Sequence, residues 1–128
     1  MNKKERPIIN NLINELTTEI ESFQNTTIRP IIKMQHLLLV ASFKYYLEKR
    51  KLDLQGCSEL EVNNKIKSIY NKDIAYRNIS LGIIIGHFSP SEFSFYTHHS
   101  TEINKRIIKI IHQRVQNSLS EILQKILY

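Results

Sequence analysis

Residues 89–128 read SPSEFSFYTHHSTEINKRIIKIIHQRVQNSLSEILQKILY. The stretch opens with Ser89, Pro90 and Glu92, which combine an N-cap serine, a proline in the first helical turn and a glutamate that closes a capping box. Apolar side chains then recur every three or four positions, which is the spacing of one helix face. These positions are Phe93, Tyr96, Ile103, Ile107, Ile111, Val115, Leu119, Ile122 and Ile126. Neither glycine nor proline follows Pro90, so the pattern predicts a long C-terminal helix.

The length of this helix raises the question of where its apolar stripe is buried. A helix of about 35 residues is about 50 Å long, which exceeds the width of a domain of this size. The helix therefore either bends or projects beyond the rest of the domain. Because a projecting apolar stripe needs a partner, we expect a homodimer formed through the C-terminal helix.

Two helices are predicted in the first half of the chain. Apolar residues at helical spacing within 9–23 predict the first, which ends at residues 25–27 (Asn-Thr-Thr). Pro30 is tolerated in a first helical turn and opens the second helix, which extends to about Lys51. The middle of this second helix, residues 37–41, is apolar all round, so we expect it to be the most deeply buried part of the fold.

Two shorter helices are predicted between this segment and the C-terminal helix. The capping box Ser58-Glu59-Leu60-Glu61 starts the third helix, and Asp73 is a cap for a fourth that extends to about Phe88. The β-branched residues within 79–86 would also suit a strand. The pair Gly82-x-x-x-Gly86 favours a helix, because two glycines at this spacing make a smooth groove that lets another helix approach closely.

Composition limits the class of protein. A chain of 128 residues has the size of one domain, and we predict a single all-α bundle of about five helices over residues 1–128. The single cysteine excludes an intramolecular disulfide and leaves no cysteine–histidine zinc pattern. No segment approaches the roughly 18 apolar residues of a membrane span. We therefore expect a soluble, non-secreted protein without a cofactor, whose net charge of +6 permits an acidic partner.

Two groups of basic residues are candidates for contacts with nucleic acid. One lies around the turn between the third and fourth helices, and the other lies in the long helix. They are Lys65, Lys67, Lys72 and Arg77, and Lys105, Arg106, Lys109 and Arg114. Lysine and arginine bind phosphates, and the two short helices also have the outline of a helix-turn-helix, with Tyr76, Arg77 and Asn78 at the start of the second. The alternative is that these cations form the ordinary polar faces of amphipathic helices.

A weak metal-binding candidate lies at the start of the long helix. His98 and Glu102 are four residues apart and share one helix face, and His99 is three residues from Glu102. The third metal ligand would come from another histidine: His36, His87 or His112. A di-metal carboxylate bundle requires two Glu-x-x-His units, which the chain lacks. We therefore assign no metal site and prefer a solvated histidine pair with a helical ion pair.

Aromatic residues crowd the entry to the long helix. They are Phe88, Phe93, Phe95 and Tyr96. Such a cluster lines a ligand pocket or a partner-binding patch, or it forms part of the core. The sequence leaves both interpretations open.

Composition also suggests a source. Isoleucine, asparagine and lysine make up about a third of the chain, which is typical of an AT-rich genome. In composition and phrasing, the stretches 70–73, 86–92 and 102–106 resemble small plastid-encoded proteins of red algae and of their cyanobacterial relatives. The resemblance implies the plastid stroma or a bacterial cytoplasm, and it assigns no functional residue.

Three functions follow from these patterns. The chain has no nucleophile elbow, phosphate-binding glycine loop, zinc-protease motif or dinucleotide fingerprint. We therefore expect a non-enzymatic regulatory or assembly factor that acts through a macromolecular partner. A protein is the favoured partner. The alternative is a nucleic-acid-binding protein that uses the basic residues. The third hypothesis is a metal-dependent enzyme at His98, His99 and Glu102.

Overall fold

The computed structural model describes residues 15–124, and this part of the chain is helical without any strand. Helical residues 15–23 continue through a π-helical turn, Gln24–Ile28, into the first of seven α-helices. The seven are α1 (Arg29–Met34), α2 (His36–Arg50), α3 (Glu59–Lys72), α4 (Ile74–Ile85), α5 (Pro90–His98), α6 (Ser100–Asn117) and α7 (Leu119–Gln124). The all-α prediction is confirmed, with seven helices rather than about five. The predicted apolar positions Ile9, Leu12, Ile13 and Ile126 lie outside the described residues.

The break predicted at residues 25–27 is wrong, because the chain stays helical there. In a regular α-helix the ring of Pro30 would clash with the carbonyl of Thr26, and Pro30 has no N–H to donate. The chain widens instead, and the N–H of Arg29 donates to the carbonyl of Gln24 five residues earlier, which is the π-helical pattern. Pro30 therefore continues an existing helix and does not open a separate one.

The segment predicted as one helix from Pro30 to about Lys51 is two helices. The chain bends at Gln35, where φ is −95° and ψ is 17°, and α2 ends at Arg50 with Lys51 in the left-handed conformation. Residues 37–41 are not the most buried part of the fold, since Leu37 is 76% exposed. Successive residues of a helix point in different directions, so a helix packed on one side leaves about half of such a run in solvent.

The predicted long C-terminal helix bends twice, at His99 and at Ser118. These bends form α5, α6 and α7 and keep the apolar stripe against the core. Ile103, Ile107 and Ile111 are completely buried within the chain. The reason for expecting a homodimer, a projecting apolar stripe, therefore does not apply to the described part of this helix.

Helix α6 occupies the centre of the bundle. It contacts each of the other six helices and the π-helical turn. The apolar stripe of α6 belongs to one core with buried side chains from the π-helical turn and from α1 to α4. These side chains are Ile28, Ile32, Phe43, Leu47, Ile66 and Ile84. One side of α6 remains outside this core and reaches solvent.

Residues 79–85 lie in α4 and Gly86 caps it, so the prediction of a helix here is confirmed. The expected close approach of another helix is absent from residues 15–124. A Cβ added at Gly82 would meet no atom within 4 Å, and one at Gly86 would meet the carbonyl oxygen of Gly82 at 3.0 Å. Both glycines are exposed.

Among the helices that the structure describes, none has the length and apolar character needed to cross a membrane.

Candidate functional site

The solvent-facing side of α6 carries a ridge of polar residues spaced four apart. Lys105, Lys109 and Gln113 are exposed along this ridge, and the spacing places them one above another on the helix surface. The stripe of isoleucines on the other side anchors α6 in the core. The ridge therefore lies on a well-anchored helix, with the segment around Gln24 and Arg29 on one side and α3 and α4 on the other.

The first groove, groove 1, lies between α6 and the continuous helical segment of residues 15–34, which we call the N-terminal helical chain. Its volume is about 470 Å³. The residues that line it are Gln24, Arg29, Arg106, Lys109, Ile110, Gln113, Arg114, Asn117 and Ser118. Four of these nine residues are cations, and the described lining contains no carboxylate.

Hydrogen bonds hold the arginines of groove 1 in place. Arg106 donates from Nη1 to Oε1 of Gln24 at 3.0 Å and from Nε to Oε1 of Glu102 at 3.2 Å. Arg29 donates from Nε to Oδ1 of Asn25 at 3.2 Å. The π-helical turn thus supplies a wall of the groove and neutral acceptors, Gln24 and Asn25, for two of its cations.

Arg114 is fixed by a relay that leads away from groove 1. Its Nη1 donates to Nδ1 of His36 at 3.2 Å, and Nε2 of His36 lies 3.1 Å from Oε2 of Glu121. Because a guanidinium only donates, Nδ1 of His36 is the acceptor and the ring proton on Nε2 faces the carboxylate. This relay connects α6 to α2 and α7.

The second groove, groove 2, lies on the other flank of α6, against α3 and α4. Its volume is about 450 Å³. The residues that line it are Asn63, Lys67, Tyr70, Asn71, Arg77, Lys105, Ile108, Lys109, His112 and Gln113. Its walls carry four cations and three amide side chains, and Arg77 donates to the carbonyl of Tyr70 at 3.5 Å.

Groove 2 also contains a histidine, His112. Burial lowers the pKa of its imidazole below the usual value and the positive charge of Lys67 lowers it further, while a hydrogen bond with Gln116 acts in the opposite direction. Nε2 of His112 is also the one buried side-chain nitrogen or oxygen without a hydrogen-bond partner in the described chain. The ring is therefore uncharged at neutral pH and has one nitrogen unused.

Lys109 and Gln113 line both grooves, which therefore form one continuous surface. We call this surface the basic face. Its seven cations are Arg29, Lys67, Arg77, Lys105, Arg106, Lys109 and Arg114. Within residues 15–124, Arg106 is the one cation of the face that forms an ion pair with a carboxylate. The face therefore carries positive charge that the described chain does not neutralise.

The structure brings most of the predicted basic residues together but leaves out two. Lys65 lies away from the grooves with Nζ 3.4 Å from Sγ of Cys57, and Lys72 lies beside Arg50 and Asp73 on another surface. Arg29 was missed, because only the unpredicted continuation of the N-terminal helix brings it to α6. In the helix-turn-helix outline, Asp73 alone separates the two helices.

The weak metal candidates do not form a ligand group. His98 contacts the carbonyl of Ser94 through Nδ1 at 2.8 Å, His99 packs on the ring of Phe95, and Glu102 pairs with Arg106. The described residues contain no group of three or more histidine, cysteine, aspartate or glutamate side chains that could hold a metal ion.

The aromatic cluster is largely part of the packing. Phe23 contacts Phe88 with ring centroids 5.5 Å apart and Phe95 at 4.9 Å, and Phe88 contacts Tyr96 at 5.7 Å. Phe93 differs, since it is 47% exposed. The cluster therefore attaches α5 to the N-terminal helical chain.

The cations of the two grooves thus stand as the candidate site on geometric grounds. Comparisons of the chain with protein-family models, with curated proteins and with solved structures found no match, so the interpretation depends on the geometry of the site itself.

Proposed function

We propose that this protein is a non-enzymatic nucleic-acid-binding factor that uses the basic face. The observation that carries the proposal is the set of adjoining cations around α6, of which Arg106 alone has a carboxylate partner in the described chain. Cations held together in this way repel one another, and grooves concentrate their field on an incoming anion. A phosphate polymer relieves the repulsion and releases its counterions on binding.

The shape and chemistry of the face favour nucleic acid over other anions. Two adjoining grooves of more than 400 Å³ each can take up several phosphates at once, which suits a polymer better than a single small anion. Amide side chains stand beside the cations, including those of Asn63, Asn71 and Gln113. Amides and cations together make most of the contacts that proteins form with phosphate and sugar oxygens.

The experiment is a salt titration of binding to labelled nucleic acid, followed by fluorescence anisotropy. The site variant replaces three exposed lysines of the basic face, Lys67→Gln, Lys105→Gln and Lys109→Gln. The matched control replaces three exposed lysines elsewhere, Lys33→Gln, Lys49→Gln and Lys72→Gln. Both variants lose the same net charge, and surface substitutions of this kind leave stability within about 0.5 kcal/mol.

The proposal predicts different salt dependences for the two variants. Each phosphate contact contributes about −0.9 to the slope of log K against log salt concentration. The slope of the site variant should therefore be less steep than that of the wild type by about 2.7, and the slope of the control should be almost unchanged. Equal losses in both variants would show an unspecific effect of net charge. Binding to anionic vesicles without binding to DNA or RNA would overturn the proposal in favour of a membrane surface.

A protein contact is the second candidate function, and a separate surface favours it. A groove of about 400 Å³ between α2 and α4 has mainly apolar walls and shares no lining residue with the basic face. Tyr45 and Ile79 line it and are 62% and 59% exposed. The test is self-association measured by analytical ultracentrifugation. A dimer that Ile79→Ser dissociates would support this contact, and a monomer at every concentration would exclude a dimer.

A further inference from the structure

The two halves of the basic face lie on opposite flanks of α6. Successive residues of an α-helix are rotated by about 100°. This rotation places Arg106 and Arg114 on the flank that faces groove 1 and His112 on the flank that faces groove 2, with the ridge residue Lys105 at the edge of groove 2. The ridge between them carries Lys109, which both grooves share.

The outer walls of the two grooves also carry cations. Arg29 stands across groove 1 from α6, and Lys67 and Arg77 stand across groove 2. Each groove therefore has three cations of its own, and Lys109 lies between the two sets. This distribution suits a ligand with two separate lines of negative charge, one on each side of the ridge.

We propose that the nucleic acid is a B-form DNA duplex, bound so that each groove holds one of the two strands that border the major groove. This inference depends on the nucleic-acid-binding function proposed above and specifies its ligand. The ridge of α6 then lies over the major groove. Gln113 faces the base edges, where glutamine contacts adenine, and Lys109, which lines both grooves, contacts the phosphates.

The spacing of the grooves supports this choice of duplex. An α-helix with its side chains is about 10–12 Å in diameter, and packed helices lie about 8–10 Å apart. Grooves on the two flanks of one helix are therefore about 10 Å apart. The major groove of B-DNA is about 12 Å wide and the minor groove about 6 Å wide, so the major groove matches. The major groove of A-form RNA is too narrow for side chains to enter.

The experiment compares three ligands of one sequence: a DNA duplex, the corresponding RNA duplex and the single DNA strand. Salt titrations between about 50 and 200 mM are carried out with the full chain and two variants. The groove 1 variant is Arg29→Gln with Arg114→Gln, and the groove 2 variant is Lys67→Gln with Arg77→Gln. Circular dichroism on heating verifies that both variants remain folded.

Wild-type protein should bind the DNA duplex at least about tenfold more tightly than the other two ligands, because only this duplex reaches both grooves at once. Each groove variant should lower the salt slope on the DNA duplex by about 1.8, and a third variant that carries all four substitutions should lower it by about 3.6. Methyl green, a major-groove ligand, should compete with the protein, and the minor-groove ligand netropsin should not.

The outcomes separate this inference from the proposed function. Equal or tighter binding of the RNA duplex or the single strand, with slopes that still fall in the groove variants, overturns the B-form duplex and leaves nucleic-acid binding standing. A slope that falls in one groove variant alone places the ligand in that groove and overturns the arrangement across α6. Failure to bind any of the three ligands overturns both proposals.

Discussion

Arg106 donates to the amide oxygen of Gln24 at 3.0 Å, and this hydrogen bond joins the central helix α6 to the π-helical turn. The same guanidinium pairs with Glu102 one turn earlier in α6. Arg106 is therefore held in place in groove 1. Among the seven cations of the basic face, it alone is neutralised by a carboxylate of the described chain. The contact with Gln24 fixes its position without lowering its charge.

This arrangement predicts that loss of Glu102 tightens the binding of nucleic acid. Glu102→Gln leaves Arg106 bonded to Gln24 and frees its positive charge for a phosphate. The salt slope should become steeper by about 0.9, with an affinity several-fold higher at low salt. Anisotropy titrations measure both quantities.

The control for this prediction is Glu59→Gln, which changes the net charge equally. Glu59 is exposed in the first turn of α3 and has no ion pair in the described chain. It should leave the slope unchanged. A similar increase for both variants would mean that net charge, and not the freed Arg106, determines affinity.

Because His112 lies in groove 2, we expect the protein to take up a proton when it binds nucleic acid. In the free protein its pKa lies below 6.5, because burial and Lys67 both disfavour the charged ring. A phosphate in groove 2 favours the charged ring, so its pKa rises on binding. Affinity should then increase as the pH falls through the pKa of the bound form, and it should level off once the pH lies below the lower pKa of the free form.

The pH dependence of affinity in wild type, His112→Gln and His87→Gln tests this coupling. His112→Gln should remove the pH-dependent part, and His87→Gln should retain it, since His87 lies outside both grooves. Affinity that is independent of pH in all three proteins would show that phosphate does not approach His112.

The same shift affects stability in the free protein. A histidine with a lowered pKa binds fewer protons when folded than when unfolded, so the free energy of unfolding falls as the pH drops below the unfolded value of about 6.5. The loss continues until the pH passes the folded pKa. Binding and folding therefore respond to acid in opposite directions through one side chain.

Capping signals in the sequence predicted three helix starts accurately, whereas the start predicted at Pro30 is wrong. The capping boxes at Ser58 and Ser89 and the cap at Asp73 are present as expected, because these contacts involve only residues within three positions of each other. A bend in the long C-terminal helix was one of two expected outcomes, but its position at His99 and the bend at Gln35 were not predictable, since neither residue is a glycine or a proline.

The basic face was predictable in its members but not in its assembly. Helical spacing placed Lys105 and Lys109 on one face of a helix, and that short-range inference needed no fold. Arg29 reaches α6 through the π-helical turn, and Lys72 is turned away by the path of α3. Both outcomes depend on contacts between residues far apart in the chain, which no local pattern encodes.

Removal of the glutamate from each of the two capping boxes should lower the free energy of unfolding by different amounts. Glu61 closes the box of α3, and Glu92 closes the box of α5 and also accepts a hydrogen bond from buried Thr27 at 3.2 Å. Glu92→Ala leaves the Thr27 hydroxyl unpaired, which costs about 1–3 kcal/mol beyond the loss of the cap itself. Glu61→Ala loses the cap alone. Urea denaturation of Glu61→Ala and Glu92→Ala measures the difference, and equal losses would show that the Thr27 contact contributes nothing.

Gly82 predicts a gain in stability. It lies within α4, it is exposed, and an added Cβ meets no atom of the described chain within 4 Å. Glycine in a helix costs about 1 kcal/mol relative to alanine, so Gly82→Ala should raise the free energy of unfolding by about 0.5–1 kcal/mol. Gly56→Ala is the opposing control, because Gly56 has a φ of 77° and alanine there is strained.

The outcome for Gly82 also decides what its exposed surface contacts. A stabilised monomer means that the glycine pair faces solvent in the working protein. If Gly82→Ala instead dissociates a dimer, the added methyl group must collide with a helix of a second copy, and the close approach expected from Gly82-x-x-x-Gly86 occurs between chains. Denaturation at two protein concentrations separates these outcomes, since only the stability of a dimer depends on concentration.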